Sequence, residues 1–311
     1  MTLGGKAAIV TGAAGGIGRA SALLLAERGA ALLVADRDAG AEETAALIRA
    51  GGGRAEAVVT DCATEAGAAL VTARAVAAYG RLDILHANAG VSGALVPDLT
   101  TGGAEFAEIL RINLIGPWLA ITAAVPHLGK GASVICTASV AGLRAGAGGI
   151  PYSASKAGVI SLVQTTASAL AGTGIRVNAV APGLVETPMT ALLYDAARAR
   201  GREDRIGQLN PLQRGGEAAE IAEVVAFLAS DAASYVNGQV LVADGGSSDP
   251  GPVYLGENIT LGQFHREELE LFLTASRARD IPLIVGSAGD SGSNHGVDET
   301  VRMLREIAEE H

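Results

Sequence analysis

The sequence contains few cysteines, few aromatic side chains and fewer basic than acidic groups. Two of its 311 residues are cysteines, 3% are aromatic, and the formal net charge is −10. Because two cysteines without metal-ligand spacing form no disulfide framework, we expect Cys62 and Cys136 to be buried free thiols in a reducing cytosol. The negative charge argues against nucleic acid or an anionic membrane surface as a partner.

Signals for membrane insertion, secretion and metal binding are also missing from the sequence. No uncharged apolar run approaches the roughly 20 residues that a membrane-spanning helix needs. Residues Met1 to Lys6 lack the basic and apolar regions of a signal peptide, which favours a cytoplasmic location. The five histidines form no ligand cluster along the chain, so we predict no metal site; they lie at positions 86, 127, 265, 295 and 311.

Small apolar residues and glycine are abundant instead. Hydrophobic residues make up 49% of the chain, and there are 42 glycines. This apolar content is sufficient for a large core and excludes global disorder. The glycines imply many tight turns and close backbone approaches.

Short apolar runs alternate with helical patterns through the first four fifths of the chain. The runs are typical of buried strands and lie at 7–10, 31–36, 55–60, 82–86, 133–137, 176–181 and 239–243. Helical periodicity occurs near 39–50, 65–79, 104–127 and 217–229, whereas 187–214 is a looser polar stretch. This alternation predicts an α/β fold, a doubly wound Rossmann-type parallel sheet with helices on both faces and its ligands at the carboxyl ends of the strands.

A glycine-rich turn joins the first strand to the first helix. It reads Thr11-Gly-Ala-Ala-Gly-Gly-Ile-Gly18. Glycines allow the backbone to approach a pyrophosphate, and the helix N-terminus supplies N–H groups and partial positive charge. The turn therefore predicts a dinucleotide site, with contacts from Gly12, Ala14, Gly16, Ile17 and Gly18.

Acidic residues end the second and third strands. Asp36 follows Gly18 by 18 residues, close to the spacing at which a carboxylate meets the adenosine ribose. A carboxylate there repels a 2′-phosphate, so the sequence favours NAD over NADP. Arg37 could lean over a 2′-phosphate, which leaves NADP as the less favoured alternative, and Asp36 as a solvated acid at a strand end also stays open. Asp61 and Cys62 lie where an adenine would bind.

Tyr152 and Lys156 are four residues apart on a predicted helix and so share a face. A phenol has a pKa of about 10, and a neighbouring ammonium lowers it by stabilising the phenolate. A shift to about 7 needs roughly 4 kcal/mol. The pair is a candidate acid/base, although a half-buried Tyr beside a solvent-reaching Lys is the structural alternative.

In combination, these motifs resemble the short-chain dehydrogenase/reductase family over residues 3–246. The resemblance rests on the glycine turn, Asn88-Ala89-Gly90, Ser139, Tyr152-x-x-x-Lys156 and Asn178-x-Val-x-Pro-Gly183, together with Asn113. Ala87 is a small departure, because many members carry a further Asn there.

The resemblance implies a role for each matching residue. Tyr152 is expected to be the general base in alcohol oxidation and the acid in carbonyl reduction, with Lys156 lowering its pKa and binding the nicotinamide ribose. Ser139 is expected to hold the substrate oxygen, and Asn113 to organise a water that links Lys156 to solvent. Residues expected to contact the cofactor are Asn88, Ala89, Gly90, Pro182, Gly183, Val185 and Thr187. Ser139 as a cap and Asn113 as a core amide are the structural alternatives.

The resemblance also implies an assembly and a substrate class. The helix with Pro117-Trp118 and the small-residue face of the Tyr152 helix form dimer interfaces in this family, so a homotetramer or homodimer is expected. Segments 91–96, 143–150 and 187–212 are candidate substrate walls, and their apolar side chains favour a small apolar or neutral alcohol or ketone. NADPH-linked reduction of a 3-oxoacyl thioester and a non-catalytic dinucleotide-binding scaffold are the alternatives.

Residues 247–311 continue past the point where this family ends. We predict a division into a catalytic domain, 1–246, and a C-terminal appendage, 247–311. The appendage reads as a helix at 266–279, a strand at 281–285, a glycine loop at 286–296 and a final helix. Its Asp-Pro-Gly-Pro and glycine-turn motifs resemble the opening of the acyclic terpene utilisation family, of which only the first part would be present.

Overall fold

The protein is described by a computed structural model over residues 2–93, 99–202, 206–207, 210–246, 301–302 and 305–306. The chain divides into two compact units, and the first comprises Met1–Glu203 and Gly215–Gly245. Every element named below belongs to that first unit. The strand and glycine loop predicted at 281–296 and the helix predicted at 266–279 lie outside the described residues. Of the predicted final helix, residues 301–302 and 305–306 are helical.

Seven parallel strands form the main sheet: β1 Ala7–Thr11, β2 Ala31–Asp36, β3 Ala55–Val59, β4 Leu82–Ala87, β5 Leu128–Thr137, β6 Arg176–Pro182 and β9 Val240–Ala243. Their order across the sheet is β3-β2-β1-β4-β5-β6-β9. A separate parallel pair joins β7 (Val185–Glu186) to β8 (Gly216–Glu217). The strand order reverses between β1 and β4, which is where a doubly wound sheet opens a crevice for a ligand. The predicted fold class is confirmed.

Helices cover both faces of the sheet. Their bounds are α1 Gly16–Glu27, α2 Gly40–Ala50, α3 Glu65–Tyr79, α4 Gly103–Leu110, α5 Gly116–Ala124, α6 Ile150–Ala169, α7 Ala191–Ala199 and α8 Ala218–Ala229. Side chains from α3, α5 and α6 form the core on one face, and side chains from α1, α2 and α8 form the core on the other. Two cores explain the continuous apolar runs, because a strand buried on both faces has no polar side.

The region between β6 and β9 differs from its prediction. The stretch predicted as loose at 187–214 contains the two-turn helix α7, and β7 lies just before it. Of the α7 side chains, Tyr194 is the buried one, while Leu192 is 78% exposed. The helix is amphipathic, but at nine residues it is too short for its apolar spacing to stand out from the polar stretch around it.

The helix predicted at 104–127 is continuous but irregular. A π-helical turn, Arg111–Ile115, separates α4 from α5, and a 3₁₀ turn, Val125–His127, ends the stretch. Among the described residues, Gly103–His127 is long and apolar enough to cross a membrane by length and composition alone, with a mean hydropathy of 1.4. Ile109, Ile121 and Ala124 are buried in the fold, and core helices of soluble proteins pass the same test.

Candidate active site

A cleft of about 720 Å³ opens at the carboxyl ends of the strands. Of the predicted cofactor-binding residues, all except Gly18 line it, and Ser139, Tyr152 and Lys156 line it as well. Asn113 lies behind its wall. The topology thus brings residues that are up to 175 positions apart, from Gly12 to Thr187, to one crevice.

The glycine turn is shaped for close backbone approaches. Gly12 has φ +68°, and a Cβ there would lie 2.7 Å from Ala89 Cα. A Cβ on Gly18 would lie 2.0 Å from the Gly12 carbonyl oxygen, so Gly18 permits packing of α1 on the turn rather than contact with a ligand. The first residues of α1 have no side-chain cap, because its N-cap is Gly15. Uncapped N–H groups at a helix N-terminus suit an anionic group such as a pyrophosphate.

The carboxylate of Asp36 lies against the glycine turn. Its Oδ2 accepts a hydrogen bond from the Ala14 N–H at 3.0 Å, and its Oδ1 accepts one from the Asp38 N–H at 3.0 Å. Arg37 follows it in the cleft wall. This arrangement fixes a negative charge beside the turn at the end of β2.

The end of β3 carries a second fixed carboxylate. Asp61 Oδ1 accepts from the Ala63 N–H, and Oδ2 lies 3.0 Å from Arg111 Nη2. Burial and the nearby carboxylates of Asp36 and Asp61 raise the pKa of Cys62 to about 12, so its thiol stays protonated. Cys62 is therefore an uncharged residue in the wall of the cleft and does not act as a nucleophile.

Tyr152 and Lys156 lie on α6 and also line the cleft. The Lys156 Nζ donates to the Thr137 carbonyl oxygen at 2.7 Å and lies 5.6 Å from the Tyr152 ring centroid. Burial lowers the pKa of Lys156 to about 8. Burial also raises the pKa of Tyr152, and a hydrogen bond with Ser139 opposes that shift in part. The pKa of Tyr152 is therefore shifted opposite to the expected direction, because desolvation disfavours the phenolate.

Ser139 and Asn113 fix the backbone around this pair. The Ser139 Oγ accepts from the Ala141 N–H at 3.1 Å and caps the 3₁₀ turn Val140–Gly142. The Asn113 amide bonds the Val91 N–H and carbonyl, each at 2.8 Å, and its Nδ2 also donates to Ser155 Oγ at 3.1 Å. Both structural alternatives are thus present, and the substrate-holding and water-organising roles stay predictions.

Three residues outside the predicted site connect its parts. Thr11 Oγ1 accepts from the N–H groups of Asn88 and Ala89. Thr137 Oγ1 donates to Asn88 Oδ1 at 2.9 Å and lies 3.0 Å from His86 Nε2. The sequence signal was available, since each lies at or near the carboxyl end of a central strand. It was overlooked because a polar residue in an apolar run was treated as part of the strand.

A glycine turn, a half-buried Tyr and a buried Lys at the strand ends of a doubly wound sheet define a dinucleotide-dependent oxidoreductase. The family model described as "Enoyl-(Acyl carrier protein) reductase" matches residues 12–248. The chain belongs to the short-chain dehydrogenase/reductase family, whose members act on CH–OH groups with a nicotinamide dinucleotide.

Relatives with assigned names are similar over nearly their whole length. Cis-4-hydroxycyclohexanecarboxylate dehydrogenase of Sinomonas cyclohexanicum is 42% identical over 244 residues, which are 78% of this chain and 96% of the relative. The 3-oxoacyl-[acyl-carrier-protein] reductase FabG of Thermotoga maritima is 38% identical over 252 residues, 79% and 99% of the two chains. A short-chain dehydrogenase from Burkholderia cenocepacia, solved in complex with NADP, has a TM-score of 0.72 and 33% identity, covering 80% of this chain and 100% of its own.

Proposed function

We propose that this protein is an NAD-dependent dehydrogenase that interconverts a secondary or primary alcohol and its carbonyl compound. The observation that carries the proposal is that Ser139, Tyr152 and Lys156 line the same cleft as the glycine turn. When bound, the nicotinamide dinucleotide accepts a hydride from the alcohol carbon or returns it to the carbonyl carbon.

The residues of the cleft fit a dinucleotide. The uncapped start of α1 receives the pyrophosphate, and the carboxylate of Asp36 receives the adenosine ribose hydroxyls. Because that carboxylate is held against the Ala14 N–H, it stays next to the 2′ position and repels a phosphate there. This supports NAD over NADP, although Arg37 in the same wall and the NADP complex of a relative keep NADP as the alternative.

Tyr152 carries the proton. In alcohol oxidation the hydroxyl proton passes to the Tyr152 oxygen as the hydride leaves the carbon, and in reduction the phenol returns it to the carbonyl oxygen. Burial raises the pKa of this phenol, so an adjacent positive charge is needed to make it a base. Lys156 supplies that charge from one helical turn away while its Nζ is anchored on Thr137.

Ser139 positions the substrate. Its Oγ lies 3.5 Å from the Pro182 carbonyl oxygen and is near enough to the Tyr152 phenol to oppose part of the rise in the pKa of that group. A substrate oxygen placed between Ser139 and Tyr152 is within reach of both hydroxyl groups. This geometry supports the role that the sequence motif implied.

Apolar side chains near the catalytic pair favour an apolar or neutral substrate. Leu143, Ile150 and Met189 are 49%, 39% and 41% exposed, and Met189 lines the cleft itself. A relative named for a hydroxycyclohexane substrate supports a ring alcohol or its ketone as the first class to test. The resemblance of the appendage to a terpene utilisation family stays a prediction and assigns no substrate.

Reduction of a 3-oxoacyl thioester is the second candidate. Its support is the 38% identity to an enzyme named for that reaction. It predicts a preference for NADPH, which the fixed carboxylate of Asp36 opposes.

Self-association into two or four copies is also proposed. Trp118 and Ile115 are 47% and 46% exposed on the surface of α5 and the preceding π turn. Large apolar side chains at this exposure are typical of a surface that another subunit covers.

The deciding experiment follows nicotinamide absorbance with NAD and then NADP. Cyclic, short-chain and terpene alcohols are oxidised in one panel, and ketones and a 3-oxoacyl thioester are reduced in another. Activity with NAD on an alcohol, lost in Tyr152→Phe, supports the proposal. A strict requirement for NADPH with the thioester favours the second candidate. Cofactor binding without turnover on either panel contradicts both and indicates a scaffold.

A further inference from the structure

His86 is a fully buried polar side chain in the centre of the sheet. It lies on β4 with 0% exposure, between Val10 of β1 and Ile135 of β5. Alternation along β4 places it on the same face as Ile84, which is core. A buried polar group lowers the stability of the fold unless it is hydrogen-bonded. A histidine at this position therefore points to a role that an apolar residue could not fill.

Only one assignment of donors and acceptors is consistent with the hydrogen bonds around His86. Asn88 Nδ2 donates to the carbonyls of Thr11 and Gly12, at 3.1 and 3.3 Å, so Asn88 Oδ1 is left as an acceptor. The Thr137 hydroxyl donates its single proton to that oxygen at 2.9 Å. His86 Nε2, 3.0 Å from Thr137 Oγ1, must therefore carry a proton and donate it.

The tautomer follows from these directions. A neutral imidazole has one N–H, so His86 carries it on Nε2 and leaves Nδ1 unprotonated. Among the residues that the structure describes, the buried Nδ1 has no hydrogen-bond partner. Burying an unpaired acceptor nitrogen costs less free energy than burying an unpaired N–H donor. An unprotonated Nδ1 therefore agrees with this assignment.

The hydrogen bonds from His86 to Thr137 and from Thr137 to Asn88 form a relay. This relay ends at two parts of the cofactor cleft. Through Asn88 it reaches the backbone of the glycine turn at Thr11 and Gly12. Through the main chain of Thr137 it reaches Lys156, whose Nζ donates to that carbonyl at 2.7 Å. One threonine thus holds both Asn88 and Lys156, and His86 holds the hydroxyl of that threonine.

We propose that His86 is a positioning residue of the cofactor site: its Nε2–H orients the Thr137 hydroxyl, which in turn keeps the Asn88 amide on the glycine turn. This inference rests on the proposed function, because it assumes that the cleft binds a nicotinamide dinucleotide. It adds a residue that touches neither cofactor nor substrate and acts through Thr137.

The test uses two substitutions that separate the donor from the ring. The terminal amide nitrogen of glutamine can occupy the place of His Nε2, whereas that of asparagine falls near Nδ1. His86→Gln therefore keeps the donor to Thr137, and His86→Asn loses it. Loss of one hydrogen bond is expected to raise the Kd for NAD about 2- to 10-fold. Calorimetric titration with NAD on the full chain measures this without turnover.

The expected pattern is weaker binding in His86→Asn, near wild-type binding in His86→Gln, and, in a Thr137→Val background, no further loss when His86→Asn is added. Ile84→Ala is the matched control, a change on the same strand and face that lowers stability but leaves the Kd unchanged. Equal Kd values for wild type and His86→Asn overturn the inference. Failure of the wild type to bind NAD or NADP contradicts the proposed function instead.

A spectroscopic measurement on the unaltered protein covers the case in which the variants do not fold. With ¹⁵N-labelled histidine, the His86 ring is expected to show its proton on Nε2 at neutral pH. A proton on Nδ1 alone overturns the inference, because Nε2 would then be an acceptor and could not donate to the Thr137 hydroxyl.

Discussion

The Lys156 ammonium donates to the carbonyl oxygen of Thr137 at 2.7 Å, across the end of β5. This bond anchors a buried cation on the strand that leads to Ser139, one helical turn from Tyr152. The pKa of Lys156 is lowered to about 8 by burial, so the ammonium is present at neutral pH and is partly lost above it.

Replacing Lys156 by Met is expected to lower kcat about 10²- to 10⁴-fold, because the phenol of Tyr152 then has no adjacent cation to make it a base. Steady-state turnover of an alcohol with saturating NAD measures the change. Lys130→Met removes an exposed lysine and serves as the matched control, with activity unchanged. Retention of more than a tenth of the activity in Lys156→Met would show that the cation is not needed.

Changing Asp36 to Asn is expected to shift cofactor preference towards NADP about tenfold or more. Asparagine keeps an oxygen for the Ala14 N–H but removes the charge that repels a 2′-phosphate. The ratio of kcat/KM for NAD to that for NADP reports the shift. Arg37→Ala is the companion variant and is expected to weaken NADP use alone. An unchanged ratio in Asp36→Asn would mean that the carboxylate does not face the ribose.

Changing Gly12 to Ala is expected to abolish dinucleotide binding. The added Cβ would lie 2.7 Å from Ala89 Cα, and φ is +68°, so the turn or the segment after β4 must move. Gly52→Ala is the matched control, because its φ is +83° with nothing within 4 Å of the new atom. It carries the same backbone strain without the clash. Calorimetry with NAD on both variants separates the two effects, and equal affinity in both would contradict the role of the turn.

His86 is expected to make the protein less stable in acid. Burial lowers its pKa to about 3, while the unfolded chain keeps the ordinary value of 6.5. Between these pH values the unfolded state binds a proton that the folded state does not. The contribution of neutral, buried His86 to the free energy of unfolding is therefore complete above about pH 6.5 and is lost as the pH falls towards 3. At pH 5 the loss is about 2 kcal/mol.

Thermal or denaturant unfolding of wild type and His86→Gln from pH 7 to 5 tests this value. All other titrating groups are shared by the two proteins, so the difference between their pH dependences isolates His86. Parallel curves would show that His86 is protonated in the folded state as well.

The sheet and most of the cleft-lining residues were predictable from the sequence. Continuous apolar runs such as 31–36, alternating with helical patterns, indicate strands buried on both faces, and glycine, acid and amide residues at their carboxyl ends predict a dinucleotide site. These signals are local and periodic, so they can be recognised in the sequence without knowing which segments pack together in the fold. Asp36 and Asn88 reach the cleft for that reason, and Tyr152 reaches it from α6.

Features that depend on contacts between distant segments were visible only in the folded protein. The raised pKa of Tyr152 follows from burial, which the spacing to Lys156 does not reveal. The placement of Gly18 behind the turn follows from the path of α1 beside the Gly12 carbonyl. The relay from His86 to Thr137 joins residues 51 positions apart because β4 and β5 are paired in parallel register. Periodicity predicts which side of a strand a residue faces, but hydrogen-bond direction and desolvation depend on what packs there.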